Sequence, residues 1–251
     1  AGTFDELRAT FVEHGLIFLR DQDITPDEHI AFAERWGQIN INRFFPRLDG
    51  YDQIATVTKE PDQTTNIGGG WHTDHSYDHV PAMGSILIAR ETPPVGGDTL
   101  FACMYTAYDT LSDGLKQTLE DMKAVHSSRH IFGEQSSYRD TMKDRFSNPE
   151  DATQDAVHPV VITHPESGRK ALYVNPGFTL NFDGWTAAES KPLLDYLYAH
   201  AVQLEHTTRF QWAPGSIAFW DNRCTWHYAL NDYHGTRREM HRITVEGSPI
   251  S

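Results

Sequence analysis

The sequence predicts a mainly β domain, a sandwich or barrel with flanking helices. Short stretches rich in β-branched and aromatic residues recur along it, each bounded by Gly, Pro, Asn or Asp. They do not alternate regularly with helical segments, which argues against a doubly wound sheet. No repeat, low-complexity tract or Ser/Gly linker divides the 251 residues. A single domain over 1–251 is therefore expected, long enough to bury a full core without disulfides or metal.

Helices are announced by a threonine N-cap with glutamate at the third helical position, a capping box. Thr3 with Glu6, Thr25 with Glu28 and Thr186 with Glu189 fit this pattern, and Pro26 supports the second as first helical residue. The predicted strands run over 16–20 (LIFLR), 53–59 (QIATVTK), 83–91 (MGSILIARE) and 156–164 (AVHPVVITH). Four more follow at 170–174 (KALYV), 208–212 (TRFQW), 215–220 (GSIAFW) and 240–247 (MHRITVEG). PESG, residues 165–168, reads as a hairpin turn. The stretch AAESKPLLDYLYAHAV after Thr186 repeats Leu, Tyr and Ala at three-to-four spacing, which predicts the best helix. Residues 130–155 are polar and aperiodic, as expected of a mobile lid.

Charge and cysteine usage exclude several functions. A formal net charge of −14 disfavours nucleic acid, which needs a basic face. An anionic substrate would have to be gathered by local arginines against that field. No 18-residue apolar run is present, so no membrane span is expected, and the opening AGTFDELRATF has no signal-peptide character. Cys103 and Cys224 have no short-range pairing pattern, which suits a reducing cytoplasm.

The chemistry concentrates in GGGWHTDHSYDHV, residues 68–80. On an extended backbone residues i and i+2 share a face, so His72 and Asp74 can converge on one ion while Thr73 turns away. A polar surface loop explains the pair equally well on its own. The C-terminal stretch adds His227 after a strand and a tight WDNR corner, then Arg238 and Arg242. Two histidines and a carboxylate on one side of a metal form the facial triad of non-haem Fe(II) oxygenases. A 2-oxoglutarate cosubstrate would need an arginine fork for its remote carboxylate. A pair of exposed edge-strand charges is the alternative reading of the two arginines.

With WHTD (71–74), GGDTLF (96–101), YTAYDTLS (105–112), HPVVITHPESGRKALYVN (158–175) and WDNRCTWHYALNDYHGTRREMHR (220–242), the chain resembles the TauD/TfdA family of Fe(II)/2-oxoglutarate dioxygenases. The resemblance covers nearly the whole chain, beginning after the family's usual first strand. It implies a double-stranded β-helix, or jelly roll, with the metal at the mouth between the sheets. It also implies Fe(II) on His72, Asp74 and His227, with 2-oxoglutarate and O₂ as cosubstrates. Thr99 and Arg238 fall on the residues that hold the far carboxylate of 2-oxoglutarate. Arg242 falls on the arginine facing the substrate's anionic end, and His75 on a residue whose backbone N–H lies near the substrate.

The implied reaction hydroxylates a C–H of a small organic anion, next to a heteroatom, and releases succinate and CO₂. Asn42 and Phe45 stand where the taurine-oxidising branch has a histidine and a tyrosine, and Gly68 where it has an asparagine before WHTD. Phe44, Phe45 and Tyr77 are expected to line a more apolar pocket. An aryloxy or alkyl carboxylate, or a longer alkyl sulfonate or sulfate, is thus favoured over taurine. A biosynthetic hydroxylase of the same family is a further reading. A non-catalytic cupin-like metal and anion binder is the alternative of another class, but it would need neither Thr99 nor Arg238. The resemblance further implies a homo-oligomer, dimer or tetramer.

Overall fold

Two of the three predicted caps form. In a computed structural model describing residues 2–134, 136 and 145–251, Thr25 and Thr186 each close a capping box with Glu28 and Glu189. They open α2 (Pro26–Glu34) and the long C-terminal helix (Ala187–Ala201). Thr3 does not cap: α1 spans Gly2–His14, so this threonine is already inside the helix. Three helices went unpredicted: α3 (Met104–Asp109), α4 (Asp113–Glu120) and α5 (Arg129–Phe132). The long helix is therefore α6 among the described residues.

Fifteen strands are described. The first five are β1 (Leu16–Leu19), β2 (Ile39–Asn40), β3 (Arg47–Leu48), β4 (Tyr51–Lys59) and β5 (Gly84–Glu91). Then come β6 (Thr99–Cys103), β7 (Lys123–Ser127), β8 (Asp155–Pro159), β9 (Val161–Thr163) and β10 (Lys170–Leu172). The last are β11 (Thr179–Phe182), β12 (Thr207–Phe210), β13 (Ile217–Asp221), β14 (Thr225–Ala229) and β15 (Arg238–Val245). The predicted strand 156–164 is broken at Val160 into β8 and β9, which join different sheets. PESG does close the antiparallel hairpin of β9 and β10.

The main sheet has the order β1-β13-β5-β15-β4-β3, with β2 also on β15, and all its pairs are antiparallel. Both faces are buried, which is why β5 reads as an unbroken apolar run. Ile86 and Ile88 point with Ile217, Phe219, Ile243 and Val245 into a core shared with α1 and α2. Phe11 of α1 stacks on Phe219 at 4.1 Å between ring centres. Fully burying a side chain of that size contributes roughly 1.5–3 kcal/mol. Leu87, Ala89, Ala218, Trp220 and Met240 point the other way and pack on Phe101 and Phe210 of the sheet β12-β6-β14. The outer face of that sheet, through Ala102 and Trp226, meets residues of α3 and α6.

The fold is thus a mixed α/β arrangement of several sheets with flanking helices, and no closed barrel forms among the described residues. Of the lid expected over 130–155, residues 135 and 137–144 lie outside the described residues. Its described ends are α5 and a 3-10 turn at Pro149–Asp151.

Candidate active site

The corner between β13 and β14 carries the chain from the main sheet to the small one. Asp221 is fully buried there. It accepts from Arg223 at 2.8 Å (Nε) and 2.6 Å (Nη2), and from His164 Nε2 at 3.0 Å. Arg223 reaches Glu166 at 3.0 Å as well. His164 Nδ1 accepts from the backbone N–H of Glu166 and Ser167, so Nε2 carries the hydrogen that Asp221 receives. His164, Asp221 and Cys224 lie close enough together to suggest a metal cluster. The committed hydrogen bonds of His164 and Asp221 mark it instead as the lock of the corner.

That corner delivers His227 on β14 directly opposite His72. The two residues exchange backbone hydrogen bonds of 2.8 and 3.1 Å, and their ring centres are 4.1 Å apart. The segment around His72 is a single β-bridge leading into a turn. The alternation nevertheless holds. Thr73 turns away to donate to the Asn222 carbonyl at 2.5 Å, while Asp74 faces the two histidines.

The three side chains fit a divalent cation. Their candidate donor atoms all lie within 4.8 Å of one another. Asp74 is 3.8 Å from His72 Nε2 and 4.0 Å from His227 Nε2, too far for hydrogen bonds. The Gly70 carbonyl accepts from His72 Nδ1 at 2.7 Å, which leaves Nε2 bare for a metal. Burial pushes the Asp74 carboxyl up, but the Arg242 guanidinium leads the opposing effects, which hold Asp74 well below the usual carboxylate range. Burial, with His72 beside it, drives His227 well below the ordinary histidine value, so its imidazole stays neutral as a ligand must. Ser85 donates to Asp74 Oδ2 at 3.0 Å and Arg242 Nη1 at 3.3 Å, which fixes the carboxylate plane.

Gly177 is part of the same construction. A Cβ there would lie 2.6 Å from His72 Cβ. The glycine is held by His130 on its carbonyl (2.8 Å). Its neighbour Asn175 accepts from the Phe178 N–H (2.9 Å) and donates to Ser76 (3.0 Å). Gly177→Ala must therefore displace His72. A loss of metal affinity of about 10–100-fold is expected, the range for changes that disturb ligand orientation. Titration of the metal-free protein with Co(II), followed by its visible spectrum, checks this.

A cavity of about 770 Å³ opens beside the triad. Inner-facing residues of β15 alternate, so Arg238 and Arg242 both reach it, flanking Met240. Arg238 is only 5% exposed, and its Nε and Nη2 have no hydrogen-bond partner among the described residues. Burial pulls its pKa down, with Tyr233 and Asp98 opposing. A desolvated guanidinium with free donors is a receptor for a carboxylate. Thr99, at the start of β6, lines the same end. Arg242, besides its contact with Asp74, sits 4.4 Å from the centre of the Phe45 ring. An aromatic wall borders it, from Phe45, Tyr77, Phe132, Phe146 and Phe178.

Of the residues the sequence singled out, His72, Asp74, His227, Thr99, Arg238 and Arg242 meet in this one cavity, together with His75, Phe45 and Tyr77. His75 has a positive φ of 60°, and its Nδ1–H donates to Asp78 at 2.8 Å, which Arg43 also grips at 2.6 Å. Asn42 is elsewhere. Its side-chain oxygen accepts from the N–H groups of Phe44 and Phe45, forming a turn, and it is not among the residues lining the cavity. Phe44 also lies behind the wall, stacked on Phe132 at 4.4 Å. Sequence reasoning missed Phe132, Phe146, Phe178 and Gly177. The only signal for the last two was their place in VNPGFT, next to a quoted motif.

Residues 1–244 match the family described as "Taurine catabolism dioxygenase TauD, TfdA family". Over 253 residues the chain is 34% identical to an alkylsulfatase of Acinetobacter baylyi, covering 98% of this chain and 78% of that one. Over 257 residues it is 33% identical to the (S)-phenoxypropionate/alpha-ketoglutarate-dioxygenase of Sphingobium herbicidovorans, covering 100% and 88%. The crystal structure of a taurine dioxygenase from Burkholderia xenovorans is similar at a TM-score of 0.82 and 30% identity, covering 98% and 82%. With a facial-triad-like His/Asp/His group at its cavity, the chain belongs to the TauD/TfdA-like family of Fe(II)/2-oxoglutarate-dependent dioxygenases and carries that family's catalytic machinery.

Proposed function

We propose that the chain hydroxylates a C–H of a small organic acid that bears a longer alkyl or aryl group, with its anionic end on Arg242. The observation that carries this reading is Arg242 lying beside an aromatic wall in one cavity. His72, Asp74 and His227 would hold Fe(II). Arg238 and Thr99 would take the far carboxylate of 2-oxoglutarate, since Arg238 is the guanidinium with unused donors. Phe45, Tyr77 and the backbone at His75 would contact the substrate. Alkylsulfatase and phenoxypropionate dioxygenase are among the relatives, which agrees with an acid larger than taurine.

Fe(II) with 2-oxoglutarate and O₂ supplies the oxidising equivalents that insert one oxygen atom into the C–H as succinate and CO₂ form. The chain's own part is positioning. Arg242 fixes the acidic end, and the aromatic wall excludes water and sets which carbon faces the triad. Hydroxylation beside a heteroatom gives an unstable product that collapses with C–O or C–S cleavage. Burial of an aryl ring contributes about 25 cal/mol per Å², so several kcal/mol before the costs of binding. A short sulfonate with a charged amine, such as taurine, gains little from burial against that wall.

A panel of sulfonates, sulfates and aryloxy acids, assayed for substrate-dependent succinate, tests the reading. A longer or aryl-bearing acid is expected to exceed taurine in kcat/KM. Arg242→Ala should lower kcat/KM for that acid roughly 10–150-fold, the loss for a charged hydrogen-bond partner. Substrate-independent consumption of 2-oxoglutarate reports whether the iron site survives. Taurine as the best substrate, or an indifferent Arg242→Ala, would overturn the pocket reading.

The same reading takes the main sheet and the sheet β12-β6-β14 as the walls of a double-stranded β-helix in one domain over 1–251. It takes the enzyme as cytoplasmic and homo-oligomeric, with the described ends of 130–155 as the base of a lid. Both cysteines are unpaired, and no described helix is long and apolar enough to cross a membrane.

A further inference from the structure

One donor behind the cavity wall, in contact with Thr99, has no part in the roles above. Trp212 lies just beyond β12, is 9% exposed, and donates from its indole Nε1–H to Thr99 Oγ1 at 2.9 Å. An indole N–H can only donate, so the threonine oxygen must accept. With that lone pair committed, the hydroxyl hydrogen of Thr99 is left to be given elsewhere. Thr99 is 3% exposed and lines the cavity beside Arg238, whose guanidinium carbon is 5.7 Å from the centre of the Trp212 ring. Without the indole, the hydroxyl would be a free rotor, able to accept from Arg238 as readily as to donate to an anion. The N–H thus fills one of the hydroxyl's two acceptor positions and biases Thr99 toward donating into the cavity.

We propose that Trp212 is a positioning residue for the cosubstrate, fixing Thr99 as a hydrogen-bond donor toward the far carboxylate of 2-oxoglutarate. This rests on the reading of Arg238 and Thr99 as the anchor for that carboxylate. The tryptophan also packs edge-on against Phe210, at 4.8 Å between ring centres, so a purely structural role is the rival. Trp212→Phe separates the two, because it keeps an aromatic ring and removes only the donor.

The test is calorimetric binding of 2-oxoglutarate to Mn(II)-loaded protein, in which no turnover intervenes. Trp212→Phe is expected to weaken binding about 3- to 10-fold, the worth of one hydrogen bond. Thr99→Val should weaken it at least as much, and Thr99→Ser should restore it. The double variant Trp212→Phe/Thr99→Val should bind no more weakly than Thr99→Val alone, since the indole acts only through the hydroxyl. Multiplying losses in the double variant, or unchanged binding in Trp212→Phe, would overturn the proposal. If circular dichroism shows Trp212→Phe to be unfolded, Trp212→Tyr, which also lacks the donor at that place, takes its position. Arg238→Lys in the same assay tells the two readings apart. If it binds normally, the anchor itself is wrong and the proposal falls with it. If it binds weakly while Trp212→Phe does not, only the role of Trp212 is lost.

Discussion

Asp74→Ala is expected to abolish turnover of every substrate while leaving a folded protein. Asp74 is the sole carboxylate of the His72–Asp74–His227 group, and removing it leaves only two imidazoles to hold a divalent cation. Loss of Fe(II) affinity should exceed 100-fold, above the 10–100-fold typical of changes behind the ligands. The side chain also gathers Ser85 and Arg242, so the variant loses two hydrogen bonds and leaves a buried arginine without its anionic contact. Stability should therefore fall too. The rest of the core, built on both faces of the main sheet, does not involve this residue. Circular dichroism separates the two losses. A folded Asp74→Ala protein with full activity would refute the site.

Arg238→Lys is the second large effect. Lysine keeps the charge but offers a point ammonium in place of a planar fork, and it is shorter. The apparent KM for 2-oxoglutarate should rise roughly 10- to 150-fold, the cost of a lost charged hydrogen-bond partner. The rate at saturating 2-oxoglutarate should fall much less, because no contact to the triad is removed. Succinate formation against 2-oxoglutarate concentration measures both. An unchanged KM for 2-oxoglutarate, with only the organic substrate's affinity altered, would mean that Arg238 and Arg242 have exchanged roles.

Much of the candidate site could be read from the sequence because its residues come in tight local patterns. H-x-D places two side chains on one face whether the backbone is a strand or, as here, one bridge and a turn. Arg238 and Arg242 share a face by the strand period alone. Capping at Thr25 and Thr186 was legible for the same reason, since each device spans four residues. What stayed hidden depends on partners distant in sequence. The strand carrying His227, β14, is five residues long and is defined by pairing with β6, more than a hundred residues earlier. The strand of Lys123–Ser127 exists between β8 and β11 and has no pattern of its own. Asn42 looked like a pocket residue, but Asn also closes turns by accepting from the backbone, and that use won. Trp212 lies at the end of a strand-like stretch, and only its N–H on Thr99, over a hundred residues earlier, marks it out.

The most direct test of the His72–Asp74–His227 site is anaerobic titration of the Fe(II)-loaded protein with 2-oxoglutarate. Chelation of a triad-held Fe(II) by a 2-oxo acid gives a visible charge-transfer band. The wild type should develop that band saturably, Arg238→Lys should need more 2-oxoglutarate to reach it, and Asp74→Ala should not develop it at all. No band in the wild type, or an equal band in Asp74→Ala, would contradict iron binding by these three residues.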